Sequence, residues 1–146
     1  MWSTETSVIS SAKPEAIFAL YVDFPNWKRW DVHLEATTLE GAFEAGSIGT
    51  LQPIGAPTPL KFTLLAVTPN LGFTDSTELP GANVIFTHIL EQIPEGTRIT
   101  HRCELVGDNW KKYLETLGAG IAKRMPSTVT NLARLAEEQS QLVSVG

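Results

Sequence analysis

The carboxyl-terminal part of the chain carries one long periodic pattern that only a helix can place on a single face. Over residues 109–141, apolar side chains recur at spacings of three and four, which predicts an amphipathic helix. Such a helix must bury its stripe against a large partner elsewhere in the fold. The stripe consists of Trp110, Leu114, Leu117, Ile121, Met125, Val129, Leu132 and Ala136.

Three residues interrupt this helical pattern near its middle. Pro126 removes the amide that would bond the carbonyl of Ala122, which predicts a bend. The apolar spacing continues beyond Pro126, so burial should keep the helix from ending there. Gly118 and Gly120 precede the proline and thin the helix. Two interpretations of the glycines stay open: close packing on a sheet, and room for a ligand.

The middle of the chain has short β-rich runs separated by turn residues rich in Gly and Pro. Two short helices, near 14–21 and 27–30, are predicted between the first two strands. Because the loops between later strands are short, neighbouring strands should be antiparallel. This order predicts an α+β fold, with one seven-stranded antiparallel sheet curled around the long helix. Strands are expected near 4–10, 32–39, 47–53, 60–67, 71–79, 82–93 and 97–106.

Composition limits the classes of function. Hydrophobic residues make up 42% of the 146 residues and charged residues 18%, which excludes a disordered chain and leaves apolar area for a cavity or a contact surface. The net charge of -5 and the lack of a basic block argue against nucleic-acid binding. The single cysteine cannot form an internal disulfide.

The sequence has neither a signal-peptide pattern nor a long apolar segment. A signal peptide would need a basic start followed by an apolar run, and a membrane span would need about 18 apolar residues or more. We therefore expect a cytoplasmic protein without stable membrane insertion. The oligomeric state stays open between a monomer and a homodimer.

Five short segments, spread over the chain, match the motif order of one known superfamily. Residues 23–31 have the pattern D-x-x-x-W-x-x-W-[DN], and residues 96–100 read G-T-R-I-T, close to the hairpin pattern G-T-R-[VL]-T, while 10–18, 40–50 and 67–70 match a strand–helix junction, a hairpin and a V-x-P turn. Together they resemble the START-like (SRPBCC) superfamily, in its polyketide cyclase/dehydrase-like branch. The resemblance implies one domain over residues 1–146 with the helix-grip fold, in which the sheet and the last helix enclose a cavity. It leaves the activity open.

Alternation along the strands predicts which residues face that cavity. In strand 97–106, His101 and Cys103 share the apolar face. In strand 82–93 the alternation is ambiguous, and the family pattern favours the face of Phe86 and His88 as the inward one. The inward faces of strands 60–67 and 71–79 stay undetermined. The predicted ligand-binding residues are Trp27, Phe86, His88, Leu90, His101, Cys103, Leu117, Ile121 and Met125.

Two histidines are the main candidates for chemistry. Histidine titrates near neutral pH, so His88 and His101 could anchor a polar group or move a proton in an enolisation, dehydration or aldol cyclisation. The alternative is that both are core histidines, hydrogen-bonded to hydroxyl groups such as those of Thr87 or Tyr113.

A carboxylate on the strand 71–79 is the third candidate. Asp75 and Glu78 lie on opposite faces of this strand, so one of them should point toward the cavity. An inward carboxylate is unfavourable unless it is paired, which makes Asp75 a candidate ligand or acid–base group. The alternative is a solvated carboxylate near the end of the strand.

Metal and cofactor sites are not expected. Zinc requires three or four converging ligands, and only His88, His101 and Cys103 are candidates, two of them on one strand. No HExxH or CxxC spacing and no glycine-rich phosphate loop occurs, so we expect neither a metal nor a cofactor.

Three functions are compatible with these features. The first is binding of a small hydrophobic or amphipathic molecule, of the polyketide, lipid or isoprenoid class, in the cavity between the sheet and the last helix. The second is a polyketide cyclase/dehydratase-type enzyme that uses histidine acid–base chemistry. The third is a protein-interaction module with a filled core and no ligand. A continuous cavity would favour the first two.

Overall fold

Seven antiparallel strands form one sheet in the computed structural model, which describes residues 1–145 and the side chains up to Leu142. The spatial order is β1-β7-β6-β5-β4-β3-β2, so the first strand pairs with the last while the others pair with their sequence neighbours. The predicted sheet is confirmed. The strands are β1 (Trp2–Ser10), β2 (Leu34–Glu40), β3 (Ile48–Pro53), β4 (Leu60–Thr68), β5 (Gly72–Leu79), β6 (Ala82–Ile93) and β7 (Gly96–Val106).

The helices lie where the sequence predicts them, between the first two strands and after the last. Helix α1 (Pro14–Val22) is followed by a 3₁₀ segment (Phe24–Arg29). The long helix α2 (Ala119–Val145) ends the described chain. None of the described helices is long and apolar enough to cross a bilayer.

The long helix begins later than the expected residue 109. A 3₁₀ turn (Trp110–Tyr113) and a π turn (Leu114–Gly118) come before α2. A Cβ on Gly118 would lie 3.2 Å from side-chain atoms of both Trp2 and Leu105, so the glycine lets this turn pack closely on the end of the sheet. The periodic pattern could not reveal this change, because successive helical turns of either type keep the stripe on nearly the same side.

The α2 helix continues through Pro126 to Val145, so the expectation that the proline does not end the helix is confirmed. Beyond the proline, Val129, Leu132 and Ala136 are fully buried. Their burial offsets the lost backbone hydrogen bond, since one large apolar side chain contributes about 1.5–3 kcal/mol.

The core lies between the inner face of the sheet and the helices. Ile17 and Tyr21 of α1 are completely buried, as are Ile99 and Leu105 of β7. Helix α2 contacts β1, β7 and α1, so its stripe closes over one half of the sheet. The site lies toward the other strands, from β2 to β6, with His101 contributed by β7.

Gly72 lies close against the backbone of β6. Its φ of +145° is a conformation that favours glycine, and an added Cβ would overlap the carbonyl oxygen of His88. Glycine here therefore holds β6 at the spacing that positions His88.

Replacing Gly72 with alanine should destabilise the fold by roughly 3 kcal/mol or more, because backbone strain and steric overlap add. Gly55 is the matched control: its φ is +82° and nothing lies within 4 Å of an added Cβ. Gly55→Ala should therefore lower the free energy of unfolding by only about 1 kcal/mol, the cost of the backbone strain alone. Urea unfolding of both variants measures the difference, and equal losses would contradict the close approach of β6.

Candidate functional site

A cavity of about 170 Å³ lies between the inner face of the sheet and the carboxyl-terminal helical segment. Most of its wall is apolar, and a few polar side chains interrupt it. The 3₁₀ segment and the loop after it form one side, and the helical segment forms the opposite side. The lining residues are Trp27, Trp30, Asp31, His33, Leu34, Leu51, Pro53, Leu60, Asp75, Thr77, Leu79, Val84, Phe86, His88, His101, Leu117, Ile121, Arg124, Met125 and Thr128.

Most of the predicted binding residues lie on this wall, although their role as binding residues stays a prediction. The expectation that Leu90 and Cys103 also line the cavity is wrong, because both are buried in the core and neither belongs to the cavity wall. Alternation predicts the face of a strand correctly, but it does not predict how far along the strand the cavity extends. The predicted residues that line it are Trp27, Phe86, His88, His101, Leu117, Ile121 and Met125.

The two glycines of the helical segment do not line the cavity. Gly118 packs against the sheet end, and a Cβ on Gly120 would lie 2.9 Å from Nη1 of Arg124. The interpretation of these glycines as room for a ligand is therefore wrong, and close packing explains Gly118.

The two predicted histidines face each other across neighbouring strands. His88 pairs with His101 in the register of β6 and β7, and their ring centroids lie 4.6 Å apart in an edge-to-face arrangement. The His88 ring also stacks on Phe73 at 3.8 Å. Nε2 of His101 is 2.8 Å from the hydroxyl of Tyr21. A side chain of the first helix therefore positions His101, and a side chain of the sheet positions His88.

The expected hydrogen-bond partners of the histidines are wrong. Thr87 belongs to the opposite face of β6 because it lies next to His88 in the strand. Tyr113 donates its hydroxyl hydrogen to the carbonyl of Pro80, at 2.8 Å. Tyr21 comes from α1, and no local pattern in the sequence links it to residues some 80 positions away.

Both histidines are neutral at physiological pH. Burial lowers the pKa of His88 to about 4, and burial together with the nearby His88 holds the pKa of His101 well below its usual value. Nδ1 of His88 lies 3.1 Å from the carbonyl oxygen of Phe73. Because a carbonyl can only accept, Nδ1 carries the hydrogen and Nε2 carries the lone pair.

Asp75 is the inward carboxyl of β5. It lines the cavity and is only 4% exposed, whereas Glu78 is exposed on the other side of the strand. The interpretation of Asp75 as a solvated carboxylate is therefore wrong. Burial raises its pKa to about 8, so the carboxyl is mainly protonated at pH 7. It makes no hydrogen bond or ion pair with any described residue, and its Oδ1 atom is fully buried.

Three charged or titratable residues of the cavity wall were not predicted from the sequence. Asp31 and His33 follow the 3₁₀ segment, and Arg124 lies on α2. Burial raises the pKa of Asp31, while the charges of His33 and Arg124 oppose that shift. Arg124 follows Ile121 by three residues, so helical periodicity could have placed it on the same face.

No cluster of three or more potential metal ligands occurs within the described part of the chain. Asp75, His88 and His101 instead offer proton donors and acceptors that are uncharged near neutral pH. An acidic hydroxyl on Asp75 and a basic nitrogen on His88 lie on adjacent strands, where diagonal neighbours are typically about 7–8 Å apart.

Replacing Asp75 with asparagine should stabilise the protein above pH 4, because the unfolded carboxyl ionises near its ordinary pKa while the native one does not. A raised native pKa means that stability is lost as pH rises from about 4 to about 8. The variant removes this loss, so its advantage should grow to a few kcal/mol near pH 8 and vanish near pH 4. Urea unfolding at several pH values measures it.

The exposed Glu78 provides a control on the same strand. Glu78→Gln should leave the pH profile of the wild type unchanged. An Asp75→Asn variant whose stability follows the wild type at every pH would show that Asp75 is not a buried neutral acid.

One family model matches almost the whole chain. The family is described as "Polyketide cyclase / dehydrase and lipid transport", and it matches residues 1–137. Among curated proteins, no relative matches the sequence significantly.

Several solved structures share the fold at low sequence identity. Protein MLL2253 from Mesorhizobium loti has a TM-score of 0.73 at 16% identity, covering 94% of this chain and 98% of that protein. TTHA0849 from Thermus thermophilus has a TM-score of 0.73 at 13% identity, covering 95% and 99%. The di-domain ARO/CYC StfQ from the steffimycin biosynthetic pathway has a TM-score of 0.73 at 11% identity; 95% of this chain matches 52% of that one. These likenesses establish the helix-grip fold.

Proposed function

The chain belongs to the polyketide cyclase/dehydrase and lipid-transport family, and we propose that it binds a small hydrophobic or amphipathic molecule in the cavity between the sheet and the carboxyl-terminal helical segment. The ligand would be of the polyketide, lipid or isoprenoid class. The observation that carries the proposal is the cavity itself, whose wall is mainly apolar with a few polar groups. Such a combination is typical of sites that bury a small molecule.

The cavity also bears on the alternative of a protein-interaction module with a filled core. Interiors without a ligand function are close-packed and have few voids larger than a water molecule. Here a cavity of about 170 Å³ has Leu117, Ile121 and Met125 in its wall together with residues of the sheet. This space favours a ligand over a filled core.

A cyclase/dehydratase-type activity is the second candidate, and one observation favours it. Nε2 of His88 carries a lone pair and has no protein partner among the described residues, while Asp75 holds a proton. In an enolisation, the histidine would take a proton from the carbon next to a ketone, and the aspartic acid would donate its proton to the carbonyl oxygen. The products would be an enol, a histidine cation and an aspartate.

Filling the cavity should abolish binding while the fold survives. Leu117→Trp adds volume at the cavity wall, so ligands that raise the melting temperature of the wild type should no longer do so. Lys123→Trp is the matched control, because Lys123 is exposed on the same helical segment and does not line the cavity. A thermal-shift screen of polyketides, isoprenoids and lipids measures both variants.

Far-ultraviolet circular dichroism should verify that both tryptophan variants retain the wild-type secondary structure. If the folded Leu117→Trp variant kept the full ligand-induced shift, the ligand would bind outside this cavity. If no ligand of the panel shifted the wild type, the binding proposal would fail.

Proton exchange separates an enzyme from a carrier. With a bound ketone in deuterated buffer, an enzyme of the proposed type should exchange the hydrogens next to the carbonyl, which nuclear magnetic resonance detects. His88→Gln should lose most of this exchange, by the roughly 10²–10⁴-fold typical of general base catalysis. Bound ketone that exchanges no faster than free ketone would exclude enolisation and leave a carrier.

A further inference from the structure

Two buried polar atoms of the cavity residues have no hydrogen-bond partner in the described chain. One is Nε1 of Trp30, and the other is Oδ1 of Asp75. The remaining atom of this kind, the hydroxyl oxygen of Thr37, does not belong to a residue of the cavity wall. Buried polar groups are nearly always paired in native proteins, so each exception calls for an explanation. A ligand in the cavity would supply the missing partners.

The chemistry of these two groups restricts what that partner can be. The indole nitrogen of Trp30 can only donate a hydrogen bond. The carboxyl of Asp75 is 4% exposed and has no cation paired with it among the described residues, so burial favours its protonated form, which also donates. The indole N–H of Trp30 and the hydroxyl of Asp75 therefore both require an acceptor atom on the ligand, while the second carboxyl oxygen of Asp75 can still accept.

Building on the proposed binding function, we propose that Asp75 and Trp30 recognise the carbonyl oxygen of an uncharged ligand. A carbonyl oxygen has two lone pairs and no hydrogen, so it can accept from both donors. The site therefore selects neutral ketones, aldehydes or esters. A hydrocarbon of the same shape leaves both donors unpaired, and a carboxylate puts a negative charge beside an apolar wall and a buried acid.

The cavity wall has a charged part and a neutral part. We call the part with Asp31, His33 and Arg124 the rim, and the part formed by the polar side chains of the sheet the buried end. Arg124 lies on the wall contributed by α2 and is the permanent cation there, but Asp31 stands near enough to interact with it. At the buried end, the polar side chains from the sheet are neutral near pH 7. No cation from the sheet offsets the charge of a carboxylate there.

The same arrangement makes binding sensitive to alkaline pH. Once Asp75 ionises, it can no longer donate, and its negative charge repels the carbonyl oxygen. Because its pKa is about 8, affinity should begin to fall near pH 8 and level off at higher pH, once Asp75 is ionised in the complex as well. Other titratable groups also face the cavity or lie beside Asp75: His88 from β6, His101 and Cys103 from β7, and Asp31, His33 and Arg124 from the rim and α2.

The neighbouring groups from the sheet do not change charge over the relevant range. The buried histidines remain neutral above neutral pH, since the pKa of His88 is about 4 and that of His101 is also lowered. Burial raises the pKa of Cys103 to about 12. A variant of Asp75 that cannot ionise shows whether the loss of affinity at alkaline pH comes from Asp75 or from the rim residues.

Three probes on one scaffold test the selectivity: 2-acetylnaphthalene, 2-ethylnaphthalene and 2-naphthoate, with the matching phenyl series for a smaller fit. Isothermal titration at about pH 6.5 should show the ketone binding roughly tenfold more tightly than the hydrocarbon, as expected for one net hydrogen bond. The carboxylate should bind more weakly than the ketone. Ketone affinity should then decline above about pH 8 and approach that of the hydrocarbon.

Three variants assign the effect to Asp75. Asp75→Leu should lose the preference for the ketone over the hydrocarbon. Asp75→Asn keeps N–H donors but cannot ionise, so it should retain ketone binding and lose the alkaline decline. Glu78→Gln, on the exposed side of the same strand, should behave as the wild type in both respects. Circular dichroism verifies the fold of each variant.

The role of Asp75 and the binding of a ligand can fail independently in these experiments. Equal binding of all three naphthyl probes, or an alkaline decline that persists in Asp75→Asn, would overturn the role of Asp75 while leaving ligand binding intact. Failure of every probe and of the lipid and polyketide panel to bind the wild type would overturn both. Ketone selectivity that disappears in Asp75→Leu would support the inference.

Discussion

Burial of the carboxyl-terminal helical stripe against the inner face of the sheet is the constraint on which the remaining structure depends. The stripe supplies Val129, Leu132 and Ala136 to the core, each with no exposed surface. These residues lie beyond Pro126, so the completely buried residues of the stripe follow the proline. Ile121 and Met125 before it are nearly buried and also line the cavity, so the same helix anchors the fold and forms part of the cavity wall.

The burial of polar side chains in the cavity wall is energetically unfavourable. Asp75 and two histidines are desolvated, and burial shifts all three pKa values toward the neutral form. The stacking of His88 on Phe73 and the contact between Tyr21 and His101 fix the two rings. The carboxyl of Asp75 has no such support among the described residues. Groups that are retained without a stabilising partner are commonly found at functional sites.

Much of the fold, and part of the site, could be predicted from the sequence. Helical and strand periodicities specify which residues share a face, and this was sufficient for the sheet, for α2 and for the inward direction of His88 and His101. Periodicity did not resolve Asp75 and Glu78, because strand β5 carries polar residues on both faces. It also could not locate Leu90 and Cys103 outside the cavity, since depth depends on how distant elements pack. The hydrogen bond between Tyr21 and His101 depends on the same long-range packing.

The pairing of the first strand with the last has a consequence for how the chain is made. In the register of β1 and β7, Trp2 lies opposite Leu105 and Ser10 lies opposite Thr97, so most of the chain must be synthesised before β1 finds its partner. Contacts so distant along the chain slow folding, because a long loop must close before they form. On the ribosome, the emerging sheet would keep an open edge and an uncovered apolar face until α2 follows. This interval is when the nascent chain is most prone to aggregate and most dependent on chaperones.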